Sequence, residues 1–171
     1  RGTSEQQQWF ENQVASAPKY KALIITVHHP PYSLDTTHGG YPDIEIAVDR
    51  VIQSTGRVPT AVLSGHVHSY QRFQRALDGK KVPYIVAGAG GYANTFRLLH
   101  KIEKDKKGKP LPPGFQTTHP DLKLMSHNDQ EPGFLRVTVD GKKKTLTFDY
   151  FFVPFTETPS AIPADTVTVP W

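Results

Sequence analysis

Residues 21–33 read KALIITVHHPPYS, and residues 60–72 read TAVLSGHVHSYQR. Each is a short apolar run, rich in β-branched residues, that stops abruptly at histidines set in a loop. Such a run, bounded by turn formers, is the pattern of a buried strand. Between the two, residues 43–53 (DIEIAVDRVIQ) place Ile44, Ala47, Val48, Val51 and Ile52 on one helical face, with Gly56 as a C-terminal stop. Strand, loop, helix, strand is a βαβ-like order. It puts both histidine clusters just beyond the carboxyl ends of strands, where ligands sit in α/β sheets.

Outward from this core, the sequence predicts a helix over residues 4–16. Thr3 or Ser4 can cap it, Trp9, Phe10 and Val14 fall at helical spacing, and Pro18 ends it. Downstream, residues 70–77 and 82–88 flank Asp78-Gly79, a hairpin signal, and residues 134–139 and 145–153 flank Asp140-Gly141, a second one. Residues 98–133 carry Lys101, Lys104, Lys106, Lys107 and Lys109, then Pro110, Pro112 and Pro113, and read as a polar surface excursion. Residues 154–171 are Pro- and Thr-rich and read as a surface tail. The expected division is therefore 1–153 as one folded unit and 154–171 as its tail.

Composition removes several functional classes. The 171 residues contain no Cys, so there is no disulfide, no thiolate zinc site and no Cys nucleophile. The net charge of +4 is too small an excess to announce a nucleic-acid binder. No apolar run approaches the roughly 20 residues of a spanning helix. The lysines at 101–109 and 142–144 are what a solvated loop and a hairpin turn carry to keep a sheet edge soluble. The first residues, Arg1-Gly2-Thr3-Ser4-Glu5, include no initiating Met, and the expectation is a segment of a longer protein.

The eight histidines carry the chemistry. Neutral imidazole is the commonest nitrogen ligand for Zn, Fe and Mn. His66 and His68 follow Gly65 in a loop where two imidazoles can converge on metal ions; two exposed loop histidines would leave the same trace. His28 and His29 precede Pro30-Pro31, whose fixed φ angles stiffen the backbone as a metal ligand requires; a turn closing the strand end is the other reading. Two such clusters on neighbouring strands point to a shared site, provided that the ring nitrogens of His28, His66 and His68 lie within about 5 Å of a common point.

Val27-His28-His29-Pro30-Pro31-Tyr32-Ser33, followed by Ser64-Gly65-His66-Val67-His68-Ser69-Tyr70-Gln71-Arg72, resembles the calcineurin-like metallophosphoesterases, and within them the purple acid phosphatase-like branch. Gln6-x-x-Trp9-Phe10, Tyr84-Ile85-Val86-Ala87-Gly88-Ala89-Gly90-Gly91 and Gly133-Phe134-Leu135-Arg136-Val137 match that branch as well. The resemblance implies an α+β fold. The chain would be the C-terminal half of a four-layer α/β/β/α sandwich, a mixed β-sheet with flanking helices, whose inner face awaits a sheet from elsewhere. It implies a metal-dependent phosphoester hydrolase, phosphatase-like, with two divalent or trivalent ions (Fe, Zn or Mn) in the complete enzyme. His28 and His66 would hold the second metal and His68 the first. His38, ten residues after His28, would lie over the phosphate as the proton donor.

The sequence departs from the family in lacking Asp-x-His, Gly-Asp-x-x-Asp and Gly-Asn-His-Asp/Glu. Without them three histidines hold at most one ion weakly, and the segment alone is expected to be inactive. Its expected partners are a phosphoester substrate, the missing N-terminal half of the domain, and further copies of itself through an uncovered sheet face. No nucleic acid and no membrane are expected. The resemblance leans toward a secreted or periplasmic setting. The alternative to an enzyme is a non-catalytic β-rich binding module with a His-rich metal or partner site. His100 and His119, within the polar excursion, are expected to lie away from the site.

Overall fold

The structure, a computed structural model, describes residues 4–91 and 99–171. Thr3, one candidate cap of the first helix, and Leu98, the start of the excursion, lie outside them. Helix α1 is Ser4–Ser16 and α2 is Pro42–Thr55. Strands β1 (Ile24–Val27), β2 (Ala61–Ser64), β3 (Tyr70–Leu77), β4 (Lys80–Ala87), β5 (Phe115–Gln116) and β6 (Leu122–Asn128) form one mixed sheet in the order β1-β2-β4-β3-β6-β5. Strands β7 (Gly133–Asp140), β8 (Thr145–Phe152) and β9 (Ile162–Pro170) form a second, antiparallel sheet.

The apolar runs are continuous because the central strands are covered on both faces. On one face Ile25, Val62, Phe73 and Tyr84 pack with Val48 and Ile52 of α2, and Phe10 of α1 leans on the same cluster. On the other face Ala61, Tyr70 and Ile85 meet Leu146, Phe148 and Tyr150 of β8. Tyr70 and Tyr150 stack with ring centroids 3.8 Å apart. The result is three layers: helices, mixed sheet, second sheet. The β1–α2–β2 unit is parallel, with Val27 opposite Ser64. Gly56 closes α2 at φ +65°, a left-handed cap, and its N–H donates to Ile52 O. Among the described residues no helix is long and apolar enough to cross a membrane.

Four expectations are corrected. The inner face of the mixed sheet is covered by the chain's own β7–β9, so the uncovered apolar surface is smaller. It is concentrated on β7, at the outermost position of its sheet, where Phe134, Val137 and Val139 are exposed. The polar excursion contains β6, whose Leu122 and Leu124 are buried beside β3 while Lys123 between them is exposed. The Asp140-Gly141 turn is a four-residue loop. Asp140 pairs with Thr145, its carboxylate accepts the N–H groups of Lys142 and Lys143, and Lys144 takes φ +52°. Asp78-Gly79, by contrast, is the two-residue hairpin turn expected, with φ +48° and +75°.

The fourth correction concerns the tail. Residues 162–170 are a nine-residue strand along β8. Asp165 accepts hydrogen bonds from Tyr70 Oη (2.6 Å), Arg72 Nε (2.7 Å) and Arg72 Nη2 (2.9 Å). Both charged side chains are about nine-tenths buried (12% and 11% exposed). Removing one partner of such a pair strands the other charge, at about 3–5 kcal/mol. Asp165→Ala should therefore lower the unfolding free energy by about 3–5 kcal/mol, read by urea denaturation with an unchanged slope. A loss below about 0.5 kcal/mol, the value for an ordinary surface site, would show that the segment does not dock.

Candidate metal centre

The site begins one rung beyond the β1–β2 ladder. Gly65 N–H donates to His28 O at 3.1 Å, which extends the parallel pairing into both histidine loops. His66 then takes φ +60°, a left-handed conformation in which His is among the more tolerated non-Gly residues. Val67 N–H donates to Gly65 O (2.7 Å) and Ser69 N–H to Val67 O (2.8 Å), so the Gly-His-x-His segment is a tight coil. Gly88, after β4, lies directly beneath it: a Cβ there would collide with the carbonyl group of Val67.

On the facing loop Tyr41 N–H donates to Pro30 O (2.9 Å), and a Cβ on Gly40 would fall 2.6 Å from Pro31 O. The diproline thus holds the chain from His38 to Tyr41 against itself at the start of α2.

These two loops bring His28 Nε2 to 3.1 Å from His66 Nδ1. His29 joins them, its ring centroid 4.2 Å from that of His66, and ligand atoms of His28, His29 and His66 all lie within 4.8 Å of one another. The Tyr41 hydroxyl lies 2.8 Å from His66 Nε2. Burial, then the neighbouring His29, His38, His28 and His68, push the His66 pKa below its ordinary value. A neutral ring with a lone pair is the form that binds a metal.

A second group gathers Asp35, His38 and His100 within the same span. The Asp35 side chain is fully buried. Its Oδ2 accepts His38 N–H at 2.6 Å and lies 3.3 Å from His38 Nδ1, while Oδ1 has no protein partner among the described residues. Burial, together with His68 and His38, lowers the His100 pKa against the opposing pull of Asp35. His38 links the two groups, its ring centroid 5.1 Å from His66 and 4.5 Å from His100.

The donor chemistry separates the groups. His28, His29 and His66 fit a metal ion such as zinc, whose ligands are imidazole nitrogens at about 2.0–2.1 Å, so two nitrogens 3.1 Å apart can share one ion. His100 does not fit as well. Its Nδ1 already accepts the backbone N–H of His68 at 3.1 Å, and a neutral imidazole has one lone pair. Its Nε2 therefore carries the proton, and the second group offers a buried carboxylate with N–H donors around it.

The structure brings His28 and His66 together, and His38 lies beside His66 in the second group. His68 is not in the group formed by His28 and His66; its ring stacks on His100, with centroids 4.5 Å apart and planes 13° apart. His119 does lie elsewhere, between Glu45 (2.7 Å) and Asp121 (2.5 Å). His100 was expected outside the site and is inside it. Asp35 and Tyr41 were not singled out, and His29 was read only as part of the stiff His28-His29 loop, not as a ligand of its own. For His29 the adjacency to His28 was a usable signal; for His100, distant in sequence and flanked by lysine, there was none.

No family model matches the chain. In sequence it is similar to purple acid phosphatase 15 of Arabidopsis thaliana, 30% identical over 118 residues, covering 64% of this chain and 21% of that protein. Purple acid phosphatases 22 and 21 of the same plant are 30% and 26% identical, over 57% and 72% of this chain and 24% and 29% of theirs. The chain thus spans about a quarter of the length of the curated relatives it matches. In structure it is similar to purple acid phosphatase PPD1 from yellow lupin (Lupinus luteus) seeds, with a TM-score of 0.67, 18% identity, and coverage of 98% of this chain and 28% of that one. It is also similar to GAP50, the anchor in the inner membrane complex of Plasmodium, with a TM-score of 0.52, 12% identity, and coverage of 94% and 42%.

The fold is that of a metallophosphoesterase. In sequence and in fold the chain is similar to purple acid phosphatases over part of their length.

Because Gly88 supports the Gly-His-x-His coil by backbone contact, Gly88→Ala should displace that coil. The expected cost is about 1–3 kcal/mol of stability. Zinc affinity, measured by calorimetry, should fall about tenfold or more as the ligands lose their support. Unchanged zinc binding would show that the coil and the metal ligands are independent.

Proposed function

We propose that this chain supplies part of the metal centre of a phosphoester hydrolase of the phosphatase type, as the C-terminal half of its catalytic domain. The observation that carries the reading is the 3.1 Å approach of His28 Nε2 to His66 Nδ1 across two neighbouring strand ends. The relatedness to purple acid phosphatases supports it. In the complete protein His28 and His66 hold one ion and His68 the other, from among Fe, Zn and Mn; this chain alone holds at most one, weakly. The ions, when bound, supply Lewis-acid charge on phosphate oxygens and lower the pKa of water. The missing half of the domain is the expected partner, and the exposed apolar residues of β7 are where it, or a second copy of this chain, would pack.

His38 is the proposed proton donor. Asp35 takes the Nδ1 side of its ring, which leaves Nε2 for the substrate. As the oxygen of water, having given a proton to solvent, bonds to phosphorus and the phosphorus–oxygen bond to the leaving group breaks, the Nε2 proton passes to the departing oxygen, which leaves as an alcohol.

The first test is turnover. The 171-residue chain with added Mn or Zn should give no more than trace hydrolysis of a chromogenic phosphomonoester. In the complete protein His66→Ala and His68→Ala should each lower kcat/KM by about 100-fold or more, with His119→Ala near wild type. Robust turnover by the chain alone would sink the half-site reading.

The second test uses leaving groups. In the complete protein His38→Ala should slow an alkyl phosphate by about 10²–10⁴-fold and a nitrophenyl phosphate far less, with metal content unchanged. Equal slowing of both substrates would remove the acid role.

A further inference from the structure

His100 belongs to none of the motifs that mark the site, yet it makes three separate contacts with His68. The backbone N–H of His68 donates to His100 Nδ1 at 3.1 Å. The backbone N–H of His100 donates to His68 O at 2.9 Å. The two rings stack nearly parallel, with centroids 4.5 Å apart. The two hydrogen bonds grip one residue from both of its backbone polar groups, and the stack fixes the plane of its ring.

We propose that His100 is a positioning residue that clamps the second histidine of the Gly-His-x-His coil. The coil needs such a clamp. His66 stands in a left-handed conformation, and elsewhere the coil is held by the Gly65 N–H bond to His28 O, by the close approach of Gly88 and by hydrogen bonds within the coil. The ring is suited to the task in one tautomer only. Nδ1 must be the acceptor, so the proton sits on Nε2, and the ring has a nitrogen within 4.8 Å of a buried Asp35 carboxylate oxygen. That carboxylate, with one oxygen lacking a protein partner, favours an N–H rather than a lone pair toward it. His100 is thereby kept from acting as a ligand itself.

The consequence for metal binding rests on the metal-centre reading above; the clamp does not. The test therefore has two arms on the 171-residue chain. In the first, ring nitrogen shifts of labelled protein should show His100 unprotonated at Nδ1. Amide hydrogen exchange of His68 should be slow in wild type, about tenfold or more faster in His100→Ala, and restored in His100→Asn, whose Oδ1 can take the place of Nδ1. In the second, zinc affinity measured by calorimetry should fall about 10–100-fold in His100→Ala and recover in His100→Asn. Circular dichroism identifies a variant that fails to fold, and the wild-type tautomer then decides the question. A protonated Nδ1, or an Asn variant no better than Ala at folded His68 exchange, overturns the clamp. Zinc affinity unchanged in His100→Ala, with the tautomer and the exchange pattern as expected, overturns the link to metal binding and leaves the clamp standing.

Discussion

A single hydrogen bond, from Gly65 N–H to His28 O, continues the parallel pairing of β1 and β2 past the ends of both strands. The organisation of the site depends on it. Parallel strands end side by side at the same edge of a sheet, so the loops that leave them meet. Here both loops open with histidine, and the register that sets Val27 against Ser64 sets His28 beside the coil carrying His66. A slip of one residue would turn alternate side chains to the other face and part the two rings. The cores on both sides of the sheet prevent that slip: Ile25 and Val62 face the helices, and Ala61 faces the second sheet.

Around that pairing the backbone is held by close contact rather than by bulk. Gly88 and Gly40 are small because a carbonyl group passes where a Cβ would lie. The diproline at 30–31 and the left-handed His66 spend conformational freedom to direct side chains inward. A site built this way is preorganised, and its polar groups find partners within it. Tyr41 meets His66, Asp35 meets His38, and His100 meets His68.

The second sheet plays a different part. Its inner face completes the core with Leu146, Phe148 and Tyr150, and β9 fastens to β3 through Asp165, Arg72 and Tyr70. Its outer face is polar, with Thr147 bonded to Thr168 and Asp149 to Arg136. The same face carries the stacked rings of Phe134 and Phe151, and Val137 and Val139, opposite Phe148 and Leu146 on the inner face, are exposed at the limit of the sheet.

The sequence by itself determined the two histidine-ended strands, the helix between them, α1, and the tight turn at Asp78-Gly79. Each of these is written in a local period or in a residue whose backbone preference is strong. It also named His28, His66 and His38, because rigid or glycine loops at strand ends leave a short-range trace. It did not determine that β6 and β9 are strands. Their alternation is short and interrupted by Lys, Pro and Thr, and what stabilises them is the neighbour they pair with. Nor could it place His100, Asp35 and Tyr41 in the site. Their partners lie 32, 3 and 25 residues away, and no residue type announces such a meeting. The Asp35–His38 contact is local, but only the packed sheet brings His100 to His68 and Tyr41 to His66 at bonding distance. Contacts of that kind depend on where whole elements come to rest, which no local pattern encodes.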